Sequence, residues 1–248
     1  MADWVAGRVV GKHRWNDTHF SVRIDAPMTD FRAGQFVRIG LGEGDERIGR
    51  PYSFVNAPGE APIEIFFNIV PEGPLSGRLA ALEPGDPVWV TAQANGYLTL
   101  EQVPEHANHL WLLATGTAVG PFLSILKTPE AWQRFDRVVL AYGVRYRVDL
   151  AYQELIDELR ASHPEQFVYV PMVTREPVPG GIRDRIPAAL SDGRLERQAG
   201  LALDGDRAHV MLCGNAGMIA DATTVLQERG LRRHLRKEPG QFSTEKYH

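Results

Sequence analysis

The chain is poor in cysteine: its 248 residues include a single one, Cys213. One thiol excludes an internal disulfide and any iron–sulfur cluster held by cysteines of this chain alone. No run of about 18 apolar residues occurs, so we expect no membrane span. Residues 1–4 lack the basic start and apolar core of a secretory signal. Together these absences predict a protein of the reducing cytoplasm.

Two further absences concern ligands. The eight histidines do not cluster with carboxylates at metal-ligand spacing, so no metal site is predicted. The net charge of −4 argues against nucleic-acid binding through electrostatics. The charge is unevenly spread, because residues 229–248 carry six basic and two acidic side chains. This basic tail is either a solvated helix face or a landing surface for an acidic partner.

The apolar content, by contrast, is sufficient for hydrophobic cores. Hydrophobic residues make up 44% of the chain and charged residues 23%, as in ordinary globular proteins. A length of 248 residues suggests two domains. The sequence pattern changes between residues 98 and 107, and we therefore place one domain at residues 1–101 and the other at residues 102–248.

The first hundred residues have the pattern of a β-rich domain. Short alternating or β-branched runs lie between Gly/Pro turns at residues 35–41, 63–70 and 88–92. Many short strands with such turns predict a closed or partly closed antiparallel β-barrel. Leucines with helical spacing predict one small helix over residues 74–82.

The rest of the chain alternates between strands and helices. Continuous apolar runs, typical of buried parallel strands, occur at residues 110–114, 138–142, 167–173 and 210–212. Amphipathic stripes predict helices over residues 152–159 and 218–226. This alternation predicts a doubly wound α/β domain built on a parallel sheet.

The segment Arg50-Pro51-Tyr52-Ser53 combines three kinds of binding chemistry. The Arg50 guanidinium can hold a pyrophosphate with two parallel hydrogen bonds. Tyr52 offers an aromatic plane, and Ser53 offers a hydroxyl that both donates and accepts. Since neighbouring side chains of a strand alternate in direction, one segment can contact a flavin on its face and along its edge. The alternative is a solvated strand end without a ligand.

Two glycine-containing segments can bind phosphate through backbone N–H groups. Gly73-Pro74-Leu75-Ser76 opens the small predicted helix, where the helix N-terminus and the Ser76 hydroxyl are donors. Residues 115–121, Thr-Gly-Thr-Ala-Val-Gly-Pro, follow the first buried strand of the second half. They do not match G-x-G-x-x-G, but the carboxyl end of such a strand is a common ligand site. A Ser-assisted turn and a tight strand-to-helix turn are the alternatives.

Three arginines, Arg145, Arg175 and Arg185, stand just beyond, or one loop beyond, predicted strands. If they converge, they fit the 2′-phosphate of NADP. No acidic residue ends the second strand of the α/β domain, where an NAD ribose partner is expected. Taken one at a time, each arginine is better explained as a solvated loop residue.

Cys213-Gly214-Asn215 ends the last predicted strand. A small thiol beside a glycine leaves room for a flat ring to approach. The alternative is a buried structural cysteine. No His/Asp pair stands in an obvious relation to Cys213, so nucleophilic catalysis is not expected.

In order and spacing, these segments resemble the motifs of bacterial ferredoxin (flavodoxin)–NADP reductases over essentially the full length. Arg50-x-Tyr52-Ser53 is similar to the family's flavin motif, and Gly73-x-x-Ser76 to its pyrophosphate motif. The other matching segments are Thr115-Gly116-Thr117-Ala118-x-Gly120-Pro121 for the nicotinamide nucleotide and Cys213-Gly214 near the nicotinamide ring.

The resemblance implies non-covalent FAD in the barrel and NADP(H) as a substrate of the second domain. Arg50 would hold the FAD pyrophosphate with help from Ser76, Tyr52 would stack on the isoalloxazine, and Ser53 would hydrogen-bond near flavin N5. The predicted catalytic residues are Tyr52, Ser53 and Cys213. The predicted cofactor contacts are Arg50, Tyr52, Ser53, Gly73, Leu75, Ser76, Thr115, Gly116, Thr117, Arg145, Arg175, Arg185, Gly214, Tyr247 and His248.

The end of the chain departs from the family pattern. Related bacterial enzymes end with an aromatic residue near the FAD, whereas here Tyr247 is penultimate and His248 is last. The resemblance therefore implies that one of these two residues covers the flavin or its adenine.

The activity that the resemblance implies is hydride transfer from NADPH to FAD, followed by single-electron transfer to ferredoxin or flavodoxin. These carriers are acidic, so the basic tail would steer their docking, and we expect a monomer. The alternatives are a reductase component for an oxygenase or for free flavin, and a flavin- or NADP-binding module that does not turn over. The absence of cluster cysteines argues against the oxygenase reductase.

Overall fold

The structure is a computed structural model that describes residues 3–247. Within these residues the chain divides into two compact units. The first comprises residues 3–99 and 120–128, and the second comprises residues 100–119 and 129–247. We propose that these units are the two domains, with the boundary close to residue 100.

The first unit is an antiparallel barrel. Its six-stranded sheet has the order β4-β3-β6-β1-β2-β5. A bridge between Phe54 and Ile65 brings the end of β4 to β5, so the barrel is nearly closed. The elements are β1 (Trp4–Arg14), β2 (His19–Asp25), β3 (Phe36–Leu41), β4 (Ile48–Ser53), β5 (Ile63–Asn68), α1 (Ser76–Ala81), β6 (Pro87–Thr91) and α2 (Gly120–Leu126).

Alternation of apolar and polar residues builds the barrel core. On β2, Phe20, Val22 and Ile24 are buried while Arg23 and Asp25 are exposed. A β-strand turns successive side chains to opposite faces, so this pattern places one face of β2 inside the barrel. Helix α2 belongs to the same unit, and the Ser124 hydroxyl donates to the carbonyl of Asn56 at 2.7 Å.

The second unit is a parallel sheet with helices in its connections. Its five strands have the order β11-β10-β7-β8-β9. Every residue of β10 is buried, as expected for a parallel strand covered on both faces. The elements are β7 (His109–Thr115), α3 (Pro129–Arg134), β8 (Arg137–Val144), α4 (Gln153–Ser162), β9 (Phe167–Val173), α5 (Ile186–Ser191), α6 (Arg194–Ala199), β10 (Ala208–Gly214), α7 (Ala216–Glu228) and β11 (Phe242–Lys246).

The strand order creates a switch point beside β7. The chain proceeds from β7 to β8 and β9 on one side, and then returns to place β10 on the other side of β7. In open α/β sheets, ligands bind outside the carboxyl ends of the strands at such a point. The carboxyl ends of β7 and β10 are Thr115 and Gly214, which both belong to predicted site segments.

The predicted fold class, an antiparallel barrel followed by a doubly wound parallel sheet, is confirmed. The basic tail is not a helix face, because α7 ends at Glu228 and the basic residues lie beyond it. Leu235 and Glu238 exchange backbone hydrogen bonds of 2.9 and 3.0 Å, so Arg236 and Lys237 form the tip of a tight turn. No helix within residues 3–247 is long and apolar enough to cross a lipid bilayer.

Candidate functional site

Strand β4 carries the residues predicted to bind flavin. Arg50 is exposed, and its Nη1 donates to the carbonyl of Gly49 at 3.0 Å. Tyr52 is 8% exposed, and its ring meets the Phe67 ring edge-on at a centroid distance of 5.7 Å. Burial raises the pKa of Tyr52 to about 12, against the opposing charge of Arg50. Ser53 is buried at the end of the strand, so β4 presents an accessible cation beside an enclosed, neutral phenol.

The start of α1 supplies a second group of donors. The Ser76 hydroxyl accepts a hydrogen bond from the Val70 N–H at 2.9 Å, and the Gly73 N–H donates to the Val70 carbonyl at 3.0 Å. Leu75 is buried and anchors the turn before the helix. The first amides of a helix have no intrahelical acceptor, and the Ser76 proton is still available for donation. The first barrel unit therefore carries two groups that can bind phosphate, the accessible guanidinium of Arg50 and the amides at the start of α1.

The carboxyl ends of β7 and β10 are in direct contact. A Cβ added to Gly214 would lie 2.2 Å from the Thr115 Oγ1 and 2.5 Å from the Met218 Cε, so a larger residue there would force these side-chain ends to shift. The Asn215 amide donates to the Thr115 Oγ1 at 3.4 Å, while its Oδ1 accepts from the Met218 N–H at 2.9 Å and caps α7. Two predicted site segments, far apart in sequence, therefore meet at the switch point.

The loop after β7 has open space beside Gly116. Gly116 has φ of 57°, a conformation that favours glycine, and a Cβ there would meet no atom within 4 Å. Thr117 is buried within the 3-10 turn Gly116–Val119, which precedes α2. A backbone open on one side at the end of a parallel strand fits the close approach of a nicotinamide nucleotide.

Cys213 lies between two strands and faces a carboxylate that the sequence reasoning missed. It is fully buried, and its register partners are Ala114 on β7 and Glu245 on β11. Burial, reinforced by the charge of Glu245, raises the pKa of the Cys213 thiol. Burial also raises the pKa of Glu245 from 4.5 to about 7. Cys213 is thus a neutral thiol at physiological pH, and Glu245 is a group that titrates there.

Tyr247 continues the pairing of β11 with β10, because its N–H donates to the carbonyl of Gly214 at 2.8 Å. The residue is partly buried and lies at the same end of the sheet as Thr115 and Cys213. The other predicted tail contact, His248, lies outside the described residues.

Two of the three predicted arginines are joined through their backbones. The Arg175 N–H donates to the carbonyl of Arg145 at 3.0 Å, directly beyond the ends of β9 and β8. Arg185 is the residue before α5, in a segment that returns to β9 through a bridge between Met172 and Ile182. All three arginine side chains are exposed, so a cationic surface lies beyond this edge of the sheet.

The Asp184 carboxylate lies next to Arg185 and is held by two hydrogen bonds, one of which comes from the Arg185 backbone N–H at 2.7 Å. Asp184 accepts from Arg194 at 2.6 Å, and this hydrogen bond is the main reason why the pKa of Asp184 is lowered. Among residues 3–247, no group of three or more His, Cys, Asp or Glu side chains is arranged to hold a metal ion.

Comparisons with a family model and with curated relatives both indicate an oxidoreductase. Residues 112–224 match the family model described as "Oxidoreductase NAD-binding domain". A flavodoxin/ferredoxin–NADP reductase of Escherichia coli is 44% identical over 221 residues, which cover 89% of each chain. The chain belongs to the flavodoxin/ferredoxin–NADP reductase family.

Other members of this reductase family match over nearly their whole length. A ferredoxin–NADP reductase of Pseudomonas aeruginosa is 34% identical over 256 residues, covering 99% of this chain and 98% of the relative. A crystal structure of a ferredoxin NADP+ reductase from Neisseria gonorrhoeae, with bound FAD and NADP, has a TM-score of 0.92. It shares 32% identity, and the match covers 99% of both chains. The family resemblance inferred from the motifs is therefore confirmed.

Proposed function

We propose that this protein is a flavoenzyme that transfers electrons from NADPH, through FAD, to ferredoxin or flavodoxin. The observation that carries the proposal is the carboxyl edge of the parallel sheet. There Thr115 and Gly214 lie side by side at the switch point. A backbone hydrogen bond joins Arg145 and Arg175 at the ends of β8 and β9, so a cationic surface lies at the end of β8, the strand next to β7. FAD and NADP are also the ligands named for the Neisseria reductase.

The chemistry that FAD supplies when bound is acceptance of a hydride and release of single electrons. In the first domain, the Arg50 guanidinium and the α1 amides near Ser76 would bind its diphosphate. Tyr52 and Ser53, at the end of β4, would contact the ring system. Gly73 and Leu75 would shape the turn that presents the α1 amides.

In the second domain, we assign nucleotide binding to the open backbone at Gly116 and to the glycine at position 214. Arg145 and Arg175 would hold the 2′-phosphate, with Arg185 as the third cation. Thr115 and Thr117 would position the loop. These assignments predict a preference for NADPH over NADH, because NADH lacks the anion that the arginines would bind.

Burial raises the pKa of two residues at the predicted nicotinamide end of the sheet. Cys213 is a neutral, fully buried thiol that would pack beneath the nicotinamide position, and it needs no reactivity of its own. Glu245 can hold a proton on its carboxyl group near pH 7. Tyr247 is tied to Gly214 and would contact the flavin or its adenine.

The turn at residues 235–238 is our candidate docking surface for the acidic carrier. Arg236 and Lys237 are exposed at its tip beside Leu235, which is 49% exposed. Arg229, in contrast, is paired with Glu196 at 2.7 Å. Surface charges of this kind act mainly on the association rate and weaken as salt screens them. We further propose a monomeric, cytoplasmic protein.

Reduction of cytochrome c by NADPH, with and without purified ferredoxin or flavodoxin, tests the proposed function. We expect a carrier-dependent rate that falls as salt rises. Replacing Arg236 and Lys237 with Gln should lower this rate, while Arg229→Gln serves as the control. A rate that gains nothing from either carrier would contradict the acceptor assignment and favour a free-flavin or oxygenase reductase. An unchanged rate in the double variant would contradict the docking surface at residues 235–238 but would leave the proposed electron transfer unaffected.

A further inference from the structure

The arginine surface contains a carboxylate whose presence needs an explanation. Glu176 immediately follows Arg175, and its side chain is 34% exposed. A negative charge next to a site for a phosphate opposes binding of that phosphate. Either Glu176 has no part in the phosphate site, or it makes a contact that favours phosphate binding more than its negative charge opposes it.

The contacts of Glu176 suggest what it contributes. Its Oε1 accepts a hydrogen bond from the backbone N–H of Arg147 at 2.6 Å. Its Oε2 lies 3.7 Å from the Nε of Arg147, whose side chain is 56% exposed. An exposed ion pair with this separation contributes little stability. The short hydrogen bond to the backbone, with a charged acceptor, is the stronger of the two contacts.

That hydrogen bond extends the pairing of β8 with β9 past the ends of the strands. The Thr174 N–H donates to the carbonyl of Val144 at 3.1 Å, and the Arg175 N–H donates to the carbonyl of Arg145 at 3.0 Å. The bond from Arg147 to Glu176 is the next connection along the same two segments.

Beyond Arg145, the first loop continues as the short 3-10 turn Arg147–Asp149, which is closed by bonds within itself. The Asp149 N–H donates to the carbonyl of Tyr146 at 3.0 Å, and the Tyr146 N–H donates to the Asp149 carboxylate at 3.1 Å. These bonds hold the shape of the turn but do not attach it to the loop after β9. The Glu176 carboxylate does attach it, directly beside Arg145 and Arg175.

We propose that Glu176 is a positioning residue for nucleotide selection. By accepting the Arg147 N–H, it fixes the Arg145 loop against Arg175, and this bond, not the charge of Glu176, supports selectivity for the 2′-phosphate. The inference rests on the proposed function, since it assumes that Arg145 and Arg175 bind that phosphate.

Three substitutions separate the bond from the charge. Glu176→Gln removes the charge but keeps an oxygen that can accept from the Arg147 N–H. Glu176→Ala removes both. Arg147→Ala removes the side-chain ion pair and keeps the backbone N–H. In the FAD-loaded protein, the readouts are the Kd of 2′-phospho-AMP and of AMP, the KM for NADPH and for NADH, and amide hydrogen exchange at residue 147.

We expect Glu176→Ala to raise the Kd of 2′-phospho-AMP and the KM for NADPH about five- to tenfold, which is the effect of losing one hydrogen bond. Exchange at residue 147 should accelerate, and kcat, AMP binding and the KM for NADH should stay constant. Glu176→Gln and Arg147→Ala should bind 2′-phospho-AMP within about twofold of the parent protein, because both keep the hydrogen bond.

Two results would overturn the inference: equal losses in the Gln and Ala variants, or an Ala variant that binds 2′-phospho-AMP like the parent protein. Arg175→Ala tells this failure from failure of the proposed nucleotide site. If Arg175→Ala loses 2′-phospho-AMP affinity and Glu176→Ala does not, the proposed nucleotide site is supported and the positioning role of Glu176 is refuted. If Arg175→Ala also has no effect, both are refuted.

Discussion

Glu245→Gln probes the electrostatics at the predicted nicotinamide end of the sheet. Burial raises the pKa of Glu245 from 4.5 to about 7 in the folded protein. Between these values the folded state binds more protons than the unfolded state, so the carboxyl group lowers stability as the pH rises. The loss is complete above about pH 7. Glutamine does not ionise and has a similar shape, so the variant lacks this pH dependence.

The magnitude follows from the two pKa values. A rise from 4.5 to about 7 corresponds to roughly 3 kcal/mol for a fully buried group. Glu245 is only partly buried, and solvent screens part of this effect, so we expect about 1–2 kcal/mol. Relative to the parent protein, Glu245→Gln should therefore gain about 1–2 kcal/mol of stability between pH 5 and pH 8.

Chemical denaturation at saturating FAD, repeated across this pH range, measures the difference. Subtracting the two proteins cancels the groups that titrate in both. Glu238→Gln is the matched control, because Glu238 lies on the exposed turn of the same tail. A stability difference between parent and Glu245→Gln that does not change with pH would contradict the raised pKa of Glu245, and so would an equal change in the Glu238 control.

Three further substitutions have defined outcomes. Gly214→Ala places a Cβ 2.2 Å from the Thr115 hydroxyl of β7, so it should cost about 1–3 kcal/mol of stability and raise the KM for NADPH. Gly217→Ala is the control, because the nearest atom to its Cβ lies at 3.4 Å, and it should change neither measurement. Arg50→Ala should purify with a low flavin-to-protein absorbance ratio, and full occupancy would contradict its role at the diphosphate. The guanidinium of Arg134 donates to three backbone carbonyls within residues 100–104. Arg134→Met should lower the unfolding free energy by about 2–3 kcal/mol without changing flavin content, and an unchanged denaturation midpoint would show that these bonds contribute nothing.

Much of the fold was predictable because its strands have distinct local patterns. The continuous apolar run Phe167–Val173 has the same limits in the sequence and in the structure. Strand β11 was missed because Phe242–Lys246 contains one fully buried apolar residue followed by polar ones. Such a segment becomes a strand through its pairing with β10, and a tertiary pairing leaves no local signal. The assignment of α2 to the barrel unit likewise depends on contacts such as Ser124 with Asn56.

The candidate site was predictable where its residues directly follow the ends of strands. Arg145 and Arg175 follow adjacent parallel strands, so their proximity can be inferred from the strand order alone. Glu176 and Glu245 were not singled out, because their significance depends on a hydrogen bond and on a register that only the folded structure provides. Tyr52 looked like an open aromatic plane in the sequence, yet the barrel encloses most of its ring.

An anaerobic absorbance titration of the FAD-loaded protein, with NADPH and NADH in parallel, tests whether NADPH reduces the flavin and does so in preference to NADH. We expect NADPH to bleach the flavin band at concentrations well below those that NADH requires. A flavin that neither nucleotide reduces would contradict hydride transfer and favour a binding module that does not turn over. Equal bleaching by the two nucleotides would contradict the assignment of Arg145 and Arg175 to the 2′-phosphate.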